Sequence, residues 1–506
     1  MSNKFKVLFI YPNDFFMNML PPAIALFSAL LKQEGHEVDL FDTTYHRMES
    51  DTFDHDKKGV ESLIVLPADM GKKGIYEKKT SAFDDLVDKM EAFKPDLIAM
   101  STVEDTFLRG ISLLEHISHY KIPSVVGGVF PTFAPEKVIA YDCVDMVAVS
   151  EGENILIELC RRMKSGEDYS NIPGLWVKTK KGITKNPMGD YYDFDSLPVL
   201  DFSVFEEARL YRIMVGVVYR MIPVETHRGC IYQCTFCNSP AQNSLYRNEL
   251  GKIYFRKLKA SKISEQLHFY KDHWNAEYFY FTANTFLAWT NKEFDQFIEL
   301  YSDIKLPFWC QTRPETINSY RMKRLKDVGL HRMSIGCEHG NEEFRRKVIG
   351  RNIGNQEIIR AFECAYDHGV SITVNNIIGL PDETRELAFD TIELTRKLKV
   401  DSIKCAIFTP FHGTKLRKLA VERGYLDDST LGNCLLDGSI MNMPKFPSKQ
   451  ISALMETFNL YARFEKERWP DIEKVERNLG SHLVKDLHDE LKQEYRTRFL
   501  ERVSDD

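Results

Sequence analysis

The sequence contains no apolar run approaching the roughly 18 residues that a membrane-spanning helix needs, so no span is predicted. Its first apolar stretch, Val7 to Ile10, stops at Tyr11-Pro12-Asn13-Asp14 without a small-residue cleavage site, which argues against an export signal. A soluble, cytoplasmic protein is expected. Positive charge is not in excess: 67 Lys and Arg stand against 74 Asp and Glu, a formal net charge of −7. A nucleic-acid partner would favour a basic face, so none is predicted. No Gly-x-Gly-x-x-Gly follows the first predicted strand, and phosphate-loop spacing is absent. Cysteine is sparse, ten in 506 residues, too few for a disulfide scaffold. Cys143, Cys160, Cys310, Cys337, Cys364, Cys405 and Cys434 are scattered, mostly in apolar runs, and read as small core residues.

What is present is an ordinary globular composition, 43% apolar and 28% charged, in a chain too long for one core. Residues 1–168 alternate strands and helices, with strands at Lys6–Ile10, Glu37–Phe41, Asp96–Ser101, Ser124–Val126 and Met146–Val149. This is the rhythm of a doubly wound, Rossmann-like α/β domain, whose ligands bind outside the carboxyl ends of the strands. The segments there are Tyr11-Pro12-Asn13, Ser101-Thr102-Val103-Glu104, Gly127-Gly128-Val129-Phe130-Pro131-Thr132 and Ser150-Glu151-Gly152-Glu153. Paired glycines let a large flat ligand approach the backbone, and they equally suit a tight turn.

Residues 169–204 read as a linker with a small hairpin turning at Lys180-Lys181-Gly182. In residues 205–415 strands are predicted at Pro223–His227, Glu277–Thr282, Phe308–Thr312, Arg332–Gly336, Ser371–Ile377 and Ser402–Phe408, with helices between them. Six such units fit a partial (β/α)6 TIM-type barrel with its chemistry at the strand carboxyl ends. Residues 416–506 read as a helical domain. Ile451, Leu454, Met455 and Phe458 keep a helical period, as do Val475, Leu479, Leu483, Leu487 and Leu491.

Three cysteines fall together just after the first barrel strand: His227-Arg-Gly-Cys230-Ile-Tyr-Gln-Cys234-Thr-Phe-Cys237. Thiolates are the usual ligands of a [4Fe–4S] cluster, which normally takes four. With only three nearby, one iron stays open to an exogenous ligand. The competing readings are zinc held by the three thiolates and His227, or three unconnected thiols.

The Cys-x₃-Cys-x₂-Cys spacing, with Phe236 before the last cysteine, resembles the signature of the radical S-adenosylmethionine (SAM) superfamily. The resemblance implies that Cys230, Cys234 and Cys237 hold the cluster and that SAM chelates its open iron. Reductive cleavage then gives a 5′-deoxyadenosyl radical. Further segments match in order. Tyr278-Phe-Tyr-Phe-Thr282-Ala-Asn284 resembles the second-strand end near the methionine amino group, with Thr282 and Asn284 where the family usually has an acid. Gln311-Thr-Arg313 is similar to the third-strand end, and Arg313 equally suits a surface salt bridge. Ser334-Ile-Gly336-Cys-Glu338-His-Gly340 resembles the fourth-strand segment, which places Ser334 and Glu338 near ribose and methionine; His339 departs from the family and faces substrate or solvent. Val374-Asn375-Asn376-Ile-Ile-Gly379 matches the fifth-strand segment beside adenine. Phe408-Thr-Pro-Phe-His-Gly413 resembles the closing segment.

The run Gly127 to Glu136, followed by Ser150-Glu151-Gly152-Glu153, resembles the cobalamin-binding domain of cobalamin-dependent radical enzymes. No Asp-x-His-x-x-Gly loop is present, so the resemblance implies cobalt without a protein imidazole. Methylthiotransferases carry extra cluster cysteines before the barrel; here Cys143 is the first cysteine, so a second cluster is not expected. The resemblance implies methylation of an unactivated carbon of a small-molecule or peptide substrate, with electrons from a low-potential flavodoxin or ferredoxin. Cyclisation, rearrangement or oxidation with the same cofactors is the alternative outcome. A noncatalytic cobalamin or metal sensor is the alternative of another class.

Overall fold

The computed structural model describes residues 4–49, 51, 54–64 and 66–500; the predicted outer bounds at residues 1–3 and 501–506 lie outside them. The chain divides into two compact units, one of Met1–His55, Asp69–Arg212 and Asn243–Phe269, the other of Asp56–Ala68, Ile213–Gln242 and Tyr270–Asp506.

In the first unit, strands Lys6–Tyr11, Glu37–Asp42, Leu97–Ser101, Ser124–Gly127 and Met146–Ala148 lie in the spatial order second, first, third, fourth, fifth. All four pairings are parallel. Such strands are covered on both faces and must be apolar throughout; Val7, Leu8, Phe9 and Ile10 are each at most 1% exposed. The helix Pro22–Gln33 starts on a proline whose missing N–H needs no partner there. It buries Ile24, Ala25, Leu30 and Leu31. The helix Ala82–Phe93 is capped by the Ser81 hydroxyl, which accepts from Phe83 N. Strand order reverses between the first and third strands, so the loops after Tyr11 and Ser101 flank the switch point where such sheets take ligands.

The hairpin assigned above to a linker is part of this sheet. Leu175–Thr179 pairs antiparallel with the fifth strand, Met146 opposite Val177 and Ala148 opposite Leu175, and Gly182–Lys185 forms the edge. Burial of Leu175 and Val177 holds it there.

The second unit carries an open, curled sheet. Val217–Val224, Tyr278–Phe281, Phe308–Thr312, Leu330–Glu338, Ser371–Ile378 and Ser402–Ile407 pair in parallel and in chain order. A seventh strand, Tyr211–Met214, lies outside the first, so the sheet ends on Tyr211–Met214 and Ser402–Ile407 without closing. This is a half-barrel with all six predicted strands. The first runs earlier than the predicted Pro223–His227, ending at Val224. Along Ser371–Ile378, half-buried and buried residues alternate: one face packs under helices and the other lines the concave side. The helix Ser448–Arg463 packs by the last strand, where Asn459 Nδ2 donates to the Ile403 carbonyl at 3.2 Å.

The apolar stripe from Val475 to Leu491 is not one helix. Gly480 takes a left-handed φ of 83° between helices Trp469–Arg477 and Lys485–Tyr495, and Leu483 is 75% exposed. Among the described residues no helix is long and apolar enough to cross a membrane.

Candidate active site

The three-cysteine loop follows the first barrel strand, at the carboxyl end of the half-barrel. Cys230 and Cys234 are buried and Cys237 half-buried. Each sulfur meets a polar hydrogen. Thr285 Oγ1 lies 3.5 Å from Cys230 Sγ, and Ser239 N donates to Cys237 Sγ at 3.4 Å. Arg313 Nη1 and Arg351 Nε donate to Cys234 Sγ at 3.1 and 3.3 Å. Burial pushes the Cys237 thiol up, and the Ser239 N–H opposes it. Donors and positive charge around sulfur favour the thiolate form that ligates metal.

His227 does not join this group. Its Nδ1 is 2.7 Å from Thr226 Oγ1, and its ring stacks on Trp289 at 5.0 Å. The tetrahedral site that a zinc reading needs would require that imidazole among the thiols. Three sulfurs that each meet a polar hydrogen, with two guanidinium groups on Cys234, suit a cluster with an open iron.

Around the cysteines the strand ends form a charged ring. Arg351 Nη1 donates to the Gly336 carbonyl at 2.7 Å and Nη2 to Glu338 Oε1 at 2.9 Å. Glu338 sits at φ 65°, an uncommon conformation for a non-glycine residue. Burial pushes its carboxyl up, against the pull of Arg351 and Arg313. A Cβ on Gly336 would lie 2.2 Å from Glu338 Oε1, so glycine is required for that carboxylate to fold back. Arg313 is not a surface residue: it is 6% exposed, lies 3.7 Å from the Tyr232 ring centroid and pairs with Glu315.

The other predicted residues fall as follows. Phe236 lies 5.9 Å from the Arg351 guanidinium. Asn284 Nδ2 donates to Ser239 Oγ at 2.9 Å, beside Cys237. The Thr282 hydroxyl is spent on the Val224 carbonyl at 3.3 Å. Ser334 Oγ accepts from Trp309 Nε1 at 3.2 Å and keeps its own proton to donate. Asn375 is half-buried, in register with Gly336 and Lys404. Gly379 has φ 76°, and a Cβ there would meet Ile451 Cγ2 at 2.8 Å. His339 does not face solvent. It is fully buried, its Nε2 lies 3.0 Å from Glu383 Oε1, and its Nδ1 accepts from Asn341 N at 3.1 Å. Arg351, Tyr232, Thr285, Ser239 and Glu383 were not found from sequence; only the Gly350-Arg351 step after a helix carried any signal.

In the first unit, the strand carboxyl ends present close backbone beside exposed aliphatic side chains. Gly128 has φ 127°, and a Cβ there would lie 2.1 Å from the Thr102 carbonyl oxygen. Val103 and Val129 stand out to solvent, 48% and 38% exposed, and Leu108 is 53% exposed. Bare backbone between exposed aliphatic side chains suits the apolar face of a macrocycle. Ser101 is half-buried at the third strand's end. Thr102 Oγ1 lies 3.2 Å from Thr106 Oγ1, and Gly127 O accepts from Thr102 N at 3.0 Å. Other predicted residues turn inward. Asn13 binds Met17, Thr43 and Thr44. Phe130 packs on Phe107, and Pro12, Pro131 and Glu104 are buried. Burial pushes the Tyr11 phenol above its usual range. Glu151 pairs with Arg256, and a Cβ on Gly152 would meet the Phe27 ring at 2.9 Å.

A half-barrel with a thiol trio at its mouth, preceded by a doubly wound sheet with a bare glycine edge, defines an iron–sulfur enzyme with an added cofactor domain. Residues 224–395 match the Radical SAM superfamily and residues 15–160 the B12 binding domain. An uncharacterized methyltransferase of Pyrococcus horikoshii is 26% identical over 390 residues, 76% of this chain and 81% of that protein. An anaerobic magnesium-protoporphyrin IX monomethyl ester cyclase of Rubrivivax gelatinosus is 21% identical over 65% of this chain and 59% of its own. The fold is that of the cobalamin-dependent SAM radical enzyme OxsB with aqua-cobalamin bound, at TM-score 0.64 and 16% identity, covering 99% of this chain and 76% of OxsB. It is also that of the radical SAM methyltransferase TsrM from Kitasatospora setae with cobalamin and [4Fe–4S] cluster bound, at TM-score 0.60 and 17% identity, covering 83% and 75%. The chain belongs to the cobalamin-dependent radical SAM enzymes, and its cofactors are cobalamin, SAM and a [4Fe–4S] cluster.

Proposed function

We propose that this enzyme methylates an unactivated carbon of a small-molecule or peptide substrate. The observation that carries the reading is the presence in one chain of a three-cysteine loop in a radical SAM domain and of a B12-binding domain. The methyltransferase relative, matched over most of both chains, favours methyl transfer as the outcome.

Cys230, Cys234 and Cys237 hold the cluster in this reading. Arg351, Arg313 and Glu338 offer paired charges to the amino and carboxylate groups of SAM, while Phe236, Asn284, Thr282, Ser334, Asn375 and Gly379 line the path toward ribose and adenine. Gly127, Gly128, Val129 and the loop Ser101–Glu104 receive the corrin; Tyr11–Asn13, Phe130, Pro131, Glu151 and Gly152 shape that edge from beneath. When bound, the cofactors supply the radical and the methyl carrier, and the protein's part is position and exclusion of water. A low-potential flavodoxin or ferredoxin supplies electrons.

Anaerobic turnover with SAM, cobalamin and reductant tests the proposal: product mass rises by one CH₂. The cyclase relative motivates a second reading, ring closure or oxidation, in which product mass is unchanged or falls. Formation of 5′-deoxyadenosine with no methylated product in any reaction would remove the methyltransferase assignment.

A further inference from the structure

The concave face of the half-barrel carries a buried cation without a salt bridge: the charge of Asp401 acts on it from beyond contact distance and offsets its burial only in part. Arg332 is 6% exposed. Its Nε donates to Thr373 Oγ1 at 3.1 Å and its Nη2 to Ser402 Oγ at 2.7 Å. Among the described residues Nη1 has no hydrogen-bond acceptor, and no carboxylate pairs with the guanidinium within 4.0 Å. Most other buried arginines are paired with a carboxylate or bound by backbone carbonyls at both terminal nitrogens. Arg209 pairs with Asp42, Arg351 with Glu338, and Arg109 with Asp51. Arg345 spends its two terminal nitrogens on the carbonyls of His339 and Ile353, and Arg417 binds three carbonyls. Arg332 has two hydroxyls. An arginine cannot shed its charge, and a buried charge lacking a partner costs several kcal/mol. Such a cost persists where a ligand offsets it.

The setting points to that ligand. Arg332, Ser334 and Gly336 alternate onto one face, in register with Ser371, Thr373 and Asn375. Ser402 and Lys404 follow on the next strand, Lys404 exposed. None of these seven side chains is acidic, and two are cations; the neighbouring Asp401 carboxylate is engaged by Ile372 N. Beside them Trp309 stacks flat on Tyr280, centroids 4.1 Å apart at 6°, and is held by Ser334. Six residues of strand, about 20 Å, separate Arg332 from Glu338.

We propose that Arg332 binds an oxyanion of the substrate, a carboxylate or a phosphate, at the end of the half-barrel remote from the reacting carbon. The Tyr280–Trp309 pair, in register with Arg332, forms a flat apolar wall beside that end. This rests on the reading of the half-barrel as the catalytic chamber. Binding energy gathered at a remote anion can be used to position the carbon that reacts.

The test uses reconstituted holoenzyme, with inorganic phosphate and acetate as probes and thermal unfolding as readout, in wild type, Arg332→Met and Arg332→Lys. Wild type and Arg332→Lys are expected to gain about 2 °C at a probe concentration of several Kd. Arg332→Met should unfold no lower than wild type without anion, because an incompletely compensated buried charge is gone, and should lose the gain. A response to phosphate alone assigns a phosphate substrate; a response to both admits a carboxylate. Arg332→Met that is unstable, or that responds as wild type does, overturns the proposal and makes Arg332 a strand-bridging residue; so does a wild type that responds to neither anion. SAM cleavage without substrate is expected to be equal in all three proteins. Its absence from all three would instead count against the radical reading.

Discussion

Cys234 receives two guanidinium groups, so its chemistry depends on residues that sequence spacing alone does not reveal. Cys234→Ala removes one of the three proposed cluster ligands, and iron content and 5′-deoxyadenosine formation should both fall to background. Arg351 is the more informative position because its fork joins sulfur, the Gly336 carbonyl and Glu338 at once. Lysine presents a point charge and cannot make those three bonds together. Arg351→Lys should therefore keep the cluster spectrum while weakening SAM binding about tenfold or more, the loss expected from ~1.4 kcal/mol. A different residue reports on the first unit. Burial pushes the Asp105 carboxyl up to about 6, Asp14 adding to the effect, and its Oδ1 has no hydrogen-bond partner among the described residues. Native Asp105 holds its proton to higher pH than the unfolded chain does, so the penalty is absent near pH 4 and complete above about pH 6. A rise of that size corresponds to ~3 kcal/mol at neutral pH. Asp105→Asn should raise the unfolding temperature at pH 7.5, with the advantage vanishing as the pH falls toward 4.

At the scale of elements, the fourth barrel strand is tied to the loop after the fifth by His339 and Glu383, both fully buried. Glu383 also accepts from Leu380 N at 2.9 Å, so the pair fixes the turn beside Gly379. Removing one partner strands the other in the core, at a cost of about 3–5 kcal/mol. His339→Leu should lose that much in denaturant unfolding, and His339→Leu with Glu383→Leu should lose clearly less. Gly128→Ala should abolish cobalamin retention on gel filtration while leaving the cluster intact, because the added Cβ meets the Thr102 carbonyl oxygen at 2.1 Å. These elements also show what the sequence makes legible. All eleven predicted strands exist, because apolar runs and alternation are local signals. The thiol loop was readable because its ligands lie within eight positions of one another. Glu383 lies 44 residues beyond His339, and no local pattern predicts their meeting. The hairpin resembles a linker in sequence because Gly182–Lys185 is mostly exposed and has no apolar face to announce its place in a sheet. The stripe across Gly480 kept helical spacing by coincidence through a turn that glycine makes easy.

For the whole molecule, the two cofactor sites belong to separate compact units, so the two chemistries can be separated by composition instead of mutation. Protein reconstituted with iron and sulfide but no cobalamin retains every residue around Cys234, and it should cleave SAM to 5′-deoxyadenosine at a measurable rate. It should give no methylated product, since the unit that carries the methyl group lacks its cofactor. Adding cobalamin should restore methylation and impose a fixed count. One SAM is spent on hydrogen abstraction and appears as 5′-deoxyadenosine and methionine. A second delivers its methyl group and appears as S-adenosylhomocysteine, so the two nucleoside products should accumulate in equal amounts with the methylated product. SAM labelled with deuterium in the methyl group locates the transfer: a product heavier by CD₃ in place of hydrogen means that the methyl group moved whole. A product formed at full rate without cobalamin would show that the B12-binding domain serves something other than this reaction. Rearrangement or ring closure needs no second SAM, so 5′-deoxyadenosine without S-adenosylhomocysteine would move the enzyme to that outcome while leaving its cofactors unchanged.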